Sequence, residues 1–275
     1  VKRLTSVIYS EMRESMRAKW FLLYSLVFGG AIILLFSFGI TESQVLGFAG
    51  VDRVLIVYIQ LCIVILPIFI LISTVRSVVG DKETSVLEYF LSMPVSLFSY
   101  FWGKFLGKLL VVFIPTMFAF LAALLWGLVK DLHVSWPIVG YYIALLFSIV
   151  ICFLGLGMFI SSIAKKVEWA LGLAFLSWLT LLLFIDVIMI GLMLKHQIEE
   201  SIIIGITLLN PLQVFRVASI ILFDPQGSIL GPSSFVILDF FGRENFLLFS
   251  LAYPVLIGLV LATSGYYLFK KGDLV

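Results

Sequence analysis

Apolar stretches about 20 residues long recur along the whole of this chain, and nothing in the sequence constrains its fold more. A helix of about 20 apolar residues matches the hydrocarbon core of a bilayer. Within lipid the backbone must satisfy its own hydrogen bonds, which a helix does inside one segment. Spans are expected near 20–40, 54–76, 105–129, 138–163, 169–194 and 246–269. Segment 202–222 is also apolar, but Asn210, Pro211, Gln213 and Arg216 interrupt it. An Arg near the centre of a span is costly, so this segment is expected as a membrane-hugging helix pair and not a seventh span. The chain is 62% hydrophobic and 12% charged, with mean hydropathy +1.19. Soluble domains are roughly 45–50% apolar and about 25% charged. The expected fold class is therefore an all-α integral membrane protein of six transmembrane helices, with no large soluble domain.

Charge sets the expected direction. With the N-terminus inside, five of the 18 Lys and Arg fall on the outer side: Arg53, Lys130, Lys195, Arg216 and Arg243. The remaining thirteen fall at the inner side or its span ends, which follows the positive-inside rule and puts both termini in the cytoplasm. A net charge of +2 gives no electrostatic basis for nucleic-acid binding. Cys62 and Cys152 sit in separate apolar runs and form no zinc or disulfide framework. No cleavable signal peptide is expected, because the first apolar run is long enough to span and no small-residue cleavage site follows it.

Function is expected where the apolar pattern breaks. Residues 2–19 form the first break. Leu4, Val7, Ile8, Met12 and Met16 fall on one side of a helical wheel, and Lys2, Arg3, Ser6, Ser10, Arg13 and Arg17 on the other. Such a basic amphipathic helix lies in the inner interface, with Trp20 at headgroup depth. The same pattern serves a solvated cytoplasmic helix.

The second break is the loop Gly80–Pro94 between spans two and three. Ser85 and Glu88 fit a capping box, which fixes a helix start, and Pro94 ends the helix. Val86, Tyr89, Phe90 and Met93 share one face at i, i+3, i+4 and i+7 spacing. That ridge suits a groove in a soluble partner, with Asp81, Lys82, Glu83 and Glu88 around it. An ordinary loop packed on its own spans is the plainer reading. The residues Asp81, Glu83, Thr84, Ser85, Leu87, Glu88, Leu91 and Pro94, followed by Gly103-Lys104, resemble the first cytoplasmic loop of ABC-2-type transporter permeases. The family usually has Gly where this chain has Ser85. The resemblance covers nearly the whole chain, read as one permease domain over 1–275. It implies an N-terminal elbow helix and a coupling helix that inserts into a separate ATPase. It also implies a homodimer bound to two such ATPases, which hold the ATP and Mg; no cofactor is expected in this chain.

Two further breaks follow. Residues 161–169 make a tight inner turn with Lys165 and Lys166, which suits either a second ATPase contact or a positive-inside anchor. Residues 195–245 make a long outer segment with Leu208-Leu-Asn210-Pro211-Leu-Gln-Val-Phe215-Arg216 at its core. Loops of that length are usually functional. With Phe184 and Asp186 in span five, it resembles the permease subunit of the Nos maturation system, which supports copper-site assembly in periplasmic nitrous oxide reductase. In that family Phe and Asp are adjacent, whereas here Ile185 separates them. The resemblance implies placement in the inner membrane, a periplasmic β-helical copper-binding partner, and sulfur or copper delivery. Asp186, Asn210, Pro211, Phe215 and Arg216 become candidates for contact with cargo or partner.

Asp186 in an apolar run is a functional-site hypothesis; pairing with Arg216 or Lys195 to stabilise the fold is the alternative. Met189, Met193 and His196 share a helical face and offer soft ligands suited to Cu(I), although methionine is also ordinary packing material. Gly103-x-x-x-Gly107, Gly155 and Gly157 are expected to let helices approach closely. The Gly103–Leu109 stretch is not a phosphate loop, because Leu109 stands where Ser or Thr is required. His133 and His196 are both expected outside, and neither His-Glu-x-x-His nor Gly-x-Ser-x-Gly occurs. The expected function is an ABC permease subunit and not an enzyme. The alternatives are a general ABC-2 exporter of lipid, drug or peptide and, more remotely, an intramembrane enzyme using Asp186.

Overall fold

The computed structural model describes residues 2–17, 26, 30, 51–92, 95–129, 136–184, 205, 208–222 and 241–272. Among these, every regular element is helical. They are α1 (Lys2–Arg17), α2 (Val51–Glu83), α3 (Val86–Ser92), α4 (Leu97–Val129), α5 (Trp136–Ile163), α6 (Val167–Leu179), α7 (Pro211–Ile221) and α8 (Arg243–Lys271). A π-helical turn, Thr180–Phe184, continues α6. Four described segments are long and apolar enough to cross a membrane: Leu61–Glu83, Leu97–Ala122, Trp136–Ile163 and Arg243–Lys271. They correspond to the second, third, fourth and sixth expected spans. The fifth begins at α6; its outer part and most of the expected first span lie outside the described residues.

Both helices flanking the second break are longer than their apolar runs suggest. α2 continues through Asp81 and Glu83, and α4 begins at Leu97. Among the described residues the expected loop therefore shrinks to the turn Thr84–Ser85 and the short helix α3.

Of segment 202–222, residues 205 and 208–222 are described, and α7 lies within them. α7 has 11 residues, about 16 Å at 1.5 Å per residue, which is half a bilayer core. Asn210 stops the preceding segment and starts α7: its side chain accepts the Leu212 amide at 3.0 Å, with Pro211 at the first helical position. The Asn210 amide group also donates to the Leu181 carbonyl in the π turn at 2.7 Å. The Tyr142 hydroxyl donates to the Ser219 carbonyl, fastening α7 to α5.

α5 is the central helix and packs most extensively against α8 and α2. The α5–α8 contact is backbone on backbone. A Cβ at Gly155 would stand 1.9 Å from the Gly258 carbonyl oxygen, and one at Gly258 would stand 2.5 Å from that of Ile151. Close approach of this kind, with dispersion and buried hydrogen bonds, holds helices together in lipid. Ser148 Oγ donates to the Leu251 carbonyl at 2.7 Å. On the other face, Ser161 Oγ accepts the Val78 and Val79 amides at 3.0 and 3.1 Å, joining α5 to α2. Gly157 faces Thr74 there, leaving 2.8 Å between a new Cβ and that of Thr74.

Gly258→Val is expected to force α5 and α8 apart and to cost about 3 kcal/mol or more. Thermal unfolding of the detergent-solubilised protein measures this. Gly140→Ala is the control, since a Cβ there meets nothing within 4 Å, and its midpoint should stay at the parent value.

Candidate functional site

The chain reverses between α2 and α3 on two residues. The Thr84 amide and hydroxyl both donate to the Gly80 carbonyl, at 3.0 and 2.8 Å. Ser85 has φ of 55°, in the left-handed region. A residue with a Cβ sits there at a cost of roughly 1–2 kcal/mol, whereas Gly does not. This is the physical reason a glycine suits the position. Ser85 stands directly before α3, where the helix start was expected, but the expected capping box is not formed, since Ser85 is left-handed and its side chain makes no bond to Glu88 among the described residues. The start is closed by the Tyr89 amide donating to the Ser85 carbonyl at 3.4 Å.

α3 is two turns long and divides its residues between two directions. Leu87 is buried, and Phe90 is half-buried with its ring 5.4 Å from that of Tyr100. Val86 and Tyr89 face outward, 38% and 66% exposed, beside exposed Glu88. Of the expected ridge, Val86 and Tyr89 are available to a partner, while Phe90 holds the helix to the bundle. Met93 and Pro94 lie outside the described residues.

Beneath α3 is a buried charge cluster. Asp81, expected beside the ridge as surface charge, turns inward. It accepts from the Tyr100 hydroxyl at 2.6 Å and pairs with Lys104 at 2.8 Å. Lys104 is only 4% exposed. Its ammonium also contacts Glu11 at 3.2 Å, donates to the Ser77 carbonyl at 3.1 Å and lies over the Tyr100 ring. Lys108 pairs with the other Glu11 oxygen at 2.9 Å and donates to Ser15 Oγ at 2.9 Å. Two cations and two carboxylates thus neutralise one another. Any one of them buried alone would be strongly destabilising. Burial pushes the Glu11 carboxyl up, but Lys104 and Lys108 outweigh it and bring it down from 4.5 to about 2.

This cluster adds a buried carboxylate to the apolar face expected of α1. Its buried line is Val7, Glu11 and Ser15, flanked by half-buried Leu4, Ile8 and Met12, while Met16 is 53% exposed. α1 runs alongside α4 in the same chain direction. A Cβ at Gly103 would stand 2.7 Å from Val7, and one at Gly107 would stand 2.8 Å from Glu11. The Gly103-x-x-x-Gly107 stripe therefore seats α1, and the lysine after each glycine grips its carboxylate.

Two more links leave the base of α3. Glu83, expected at the ridge, accepts the Val167 amide at 3.0 Å, so a carboxylate sits at the N-terminus of α6, where it is favoured. Tyr100 stacks on Phe269 at 5.8 Å, and Lys82 lies over that ring at 5.3 Å. α1, α4, α6 and α8 all meet at the root of α3. The turn before α6 leaves Lys165, Lys166 and Trp169 exposed.

The opposite candidates are placed differently. Asn210 and Phe215 are fully enclosed, Pro211 is buried with them, and Arg216 contacts Gln213 at 3.4 Å. In this arrangement Asn210, Pro211 and Phe215 build α7. Asp186, Met189, Met193 and His196 lie outside the described residues. Among the described residues no group of three His, Cys, Asp or Glu is placed to hold a metal. Reading the sequence missed Glu11, Ser15 and Tyr100. The available signal was a carboxylate one turn after Val7 on the apolar side of α1.

Replacing Glu11 by Gln is expected to cost about 3 kcal/mol, since Lys108 loses its charged partner. The carboxyl is depressed in the folded chain, so its stabilisation is complete above about pH 4.5 and disappears as pH falls toward 2. Thermal midpoints of parent and Glu11→Gln should differ most at neutral pH and converge as pH falls from about 4.5 toward 2.

A family model described as ABC-2 family transporter protein matches residues 5–274, a range running from α1 to beyond α8. A "Probable ABC transporter permease protein NosY" from Pseudomonas aeruginosa is 24% identical over 225 residues, covering 80% of this chain and 82% of the relative. A protein of the same name from Stutzerimonas stutzeri is 22% identical over 248 residues, covering 84% and 86%. Long apolar helices packed through glycine, with a short two-turn helix fastened across their ends, are thus found in a sequence matched along nearly its full length: the chain belongs to the ABC-2 transporter family, as a membrane permease subunit.

Proposed function

We propose that this permease works as a homodimer in the inner membrane, with α1, α3 and both termini on the cytoplasmic side, and that α3 is the coupling helix. Two separate ATPase chains bind ATP and Mg and dock on α3. The observation that carries this reading is the division within α3. Val86 and Tyr89 are offered outward, while Leu87, Phe90 and the neighbouring Asp81 are tied into the bundle. Force applied at Tyr89 reaches α4 and α8 through Phe90, Tyr100 and Phe269, and reaches α6 through Glu83.

Val86→Asp combined with Tyr89→Asp places carboxylates on the outward face without touching the buried one. Co-purification of the ATPase is expected to fall more than about tenfold, in line with loss of a central interface anchor. Retention at the parent level, with the permease correctly inserted, refutes the docking assignment.

For cargo, we propose sulfur or copper delivery in maturation of nitrous oxide reductase, together with a periplasmic β-helical copper-binding partner. Support comes from the two relatives' names and from the residues Phe184, Asp186, Asn210, Pro211, Phe215 and Arg216 in their order along the chain. Asp186 and Arg216 are the proposed contacts with cargo or partner. Deleting this permease from its host is expected to leave the reductase exported but lacking assembled copper, read as metal content and nitrous oxide consumption. A fully loaded, active reductase in the deletion strain overturns this cargo and leaves a general exporter.

A further inference from the structure

A cavity of about 180 Å³ lies among α1, α2 and α4, beside the charge cluster. At roughly 30 Å³ per water it has room for about six. Among the described residues its charged lining comprises Glu11, Glu14, Asp81, Arg76, Lys104 and Lys108, three anions and three cations. Such a lining disfavours a ligand with large net charge of either sign. Two lining groups have something left to offer. Ser77 is 5% exposed, and its hydroxyl has no hydrogen-bond partner; an unpaired buried hydroxyl is costly and calls for an acceptor. Glu14 has no ion-pair partner among the described residues, so its carboxylate can take an ammonium. Ser15 and Ser73 add two further hydroxyls, and Phe69, Ile72 and Val111 form the apolar part of the lining. These last three lie nearer the middles of α2 and α4 than the charged residues of those helices do.

We infer that this cavity seats the headgroup of a zwitterionic aminophospholipid. The phosphate lies toward Lys108, Arg76 and the Ser77 hydroxyl, and the ammonium toward Glu14. The apolar end leads to the acyl chains, which remain outside because the space is too small for them. The walls come from two membrane-crossing helices and the helix docked on them, so a lipid reaches the site from the bilayer directly. Such a lipid would fill the gap between α1 and α2 that the lysine pairs leave open.

Native mass spectrometry of the full chain, delipidated in detergent and titrated with phosphatidylethanolamine, phosphatidylglycerol or free phosphoethanolamine, tests this. The expected result is one phosphatidylethanolamine per chain, with phosphatidylglycerol weaker. Glu14→Gln should lower that affinity about fivefold, the scale of one charge at a membrane surface. Ser77→Ala should lower it as well, and it serves alone if Glu14→Gln does not fold; gel filtration and thermal midpoint report folding. Equal binding of both lipids overturns the zwitterion assignment. Equal competition by phosphoethanolamine overturns the lipid assignment. Unchanged affinity in both variants overturns the site.

Discussion

Lys104 is the group on which the arrangement of helices at this end depends. An ammonium cannot be enclosed without opposite charge, and α4 supplies none of its own nearby. Glu11 must come from α1 and Asp81 from α2. Satisfying one side chain therefore fixes three elements at once. It also fixes where α3 begins, because Asp81 precedes the Thr84–Ser85 reversal by three residues. The hydrophobic effect does little to choose partners among helices that are all apolar in a bilayer. A buried, geometrically demanding charge does choose.

The glycines act in the complementary way. Gly155 and Gly258 bring α5 and α8 to backbone contact, and Gly103 and Gly107 let α1 approach α4 closely enough for Lys104 and Lys108 to reach Glu11. Neither device suffices alone. Without the glycines the carboxylate stands too far away; without the lysines nothing specifies which helix lies on the stripe.

The spanning helices were legible because long apolar runs have one solution in lipid. The start of α3 was legible in position, one residue after Ser85, but the capping box expected to fix it does not form: Ser85 is left-handed and no side-chain hydrogen bond joins it to Glu88 among the described residues. Glu11, Asp81 and Glu83 were not legible as anchors, because a charged residue near an interface reads as solvated until its partner is known. Those partners lie 93, 23 and 84 positions away along the chain, at Lys104, Lys104 and Val167. Gly103-x-x-x-Gly107 was correctly a close-approach stripe, but periodicity cannot say whether a span or an amphipathic helix occupies it. Asn210-Pro211 carried a local N-cap signature and was read instead as an interruption.

The root of α3 also bears on how a docked ATPase would move this protein. Phe90, Asp81 and Glu83 give three separate routes, to α8 by stacked rings, to α1 and α4 by buried charge, and to α6 by a capped helix end. The routes differ in stiffness. Ring contacts slide at little cost, whereas pulling Asp81 from Lys104 exposes a buried charge and is opposed strongly. A push on Tyr89 is then transmitted without loosening α2 from α4. The weaker contacts, at Phe269 and at the α6 end, are where relative motion would first appear.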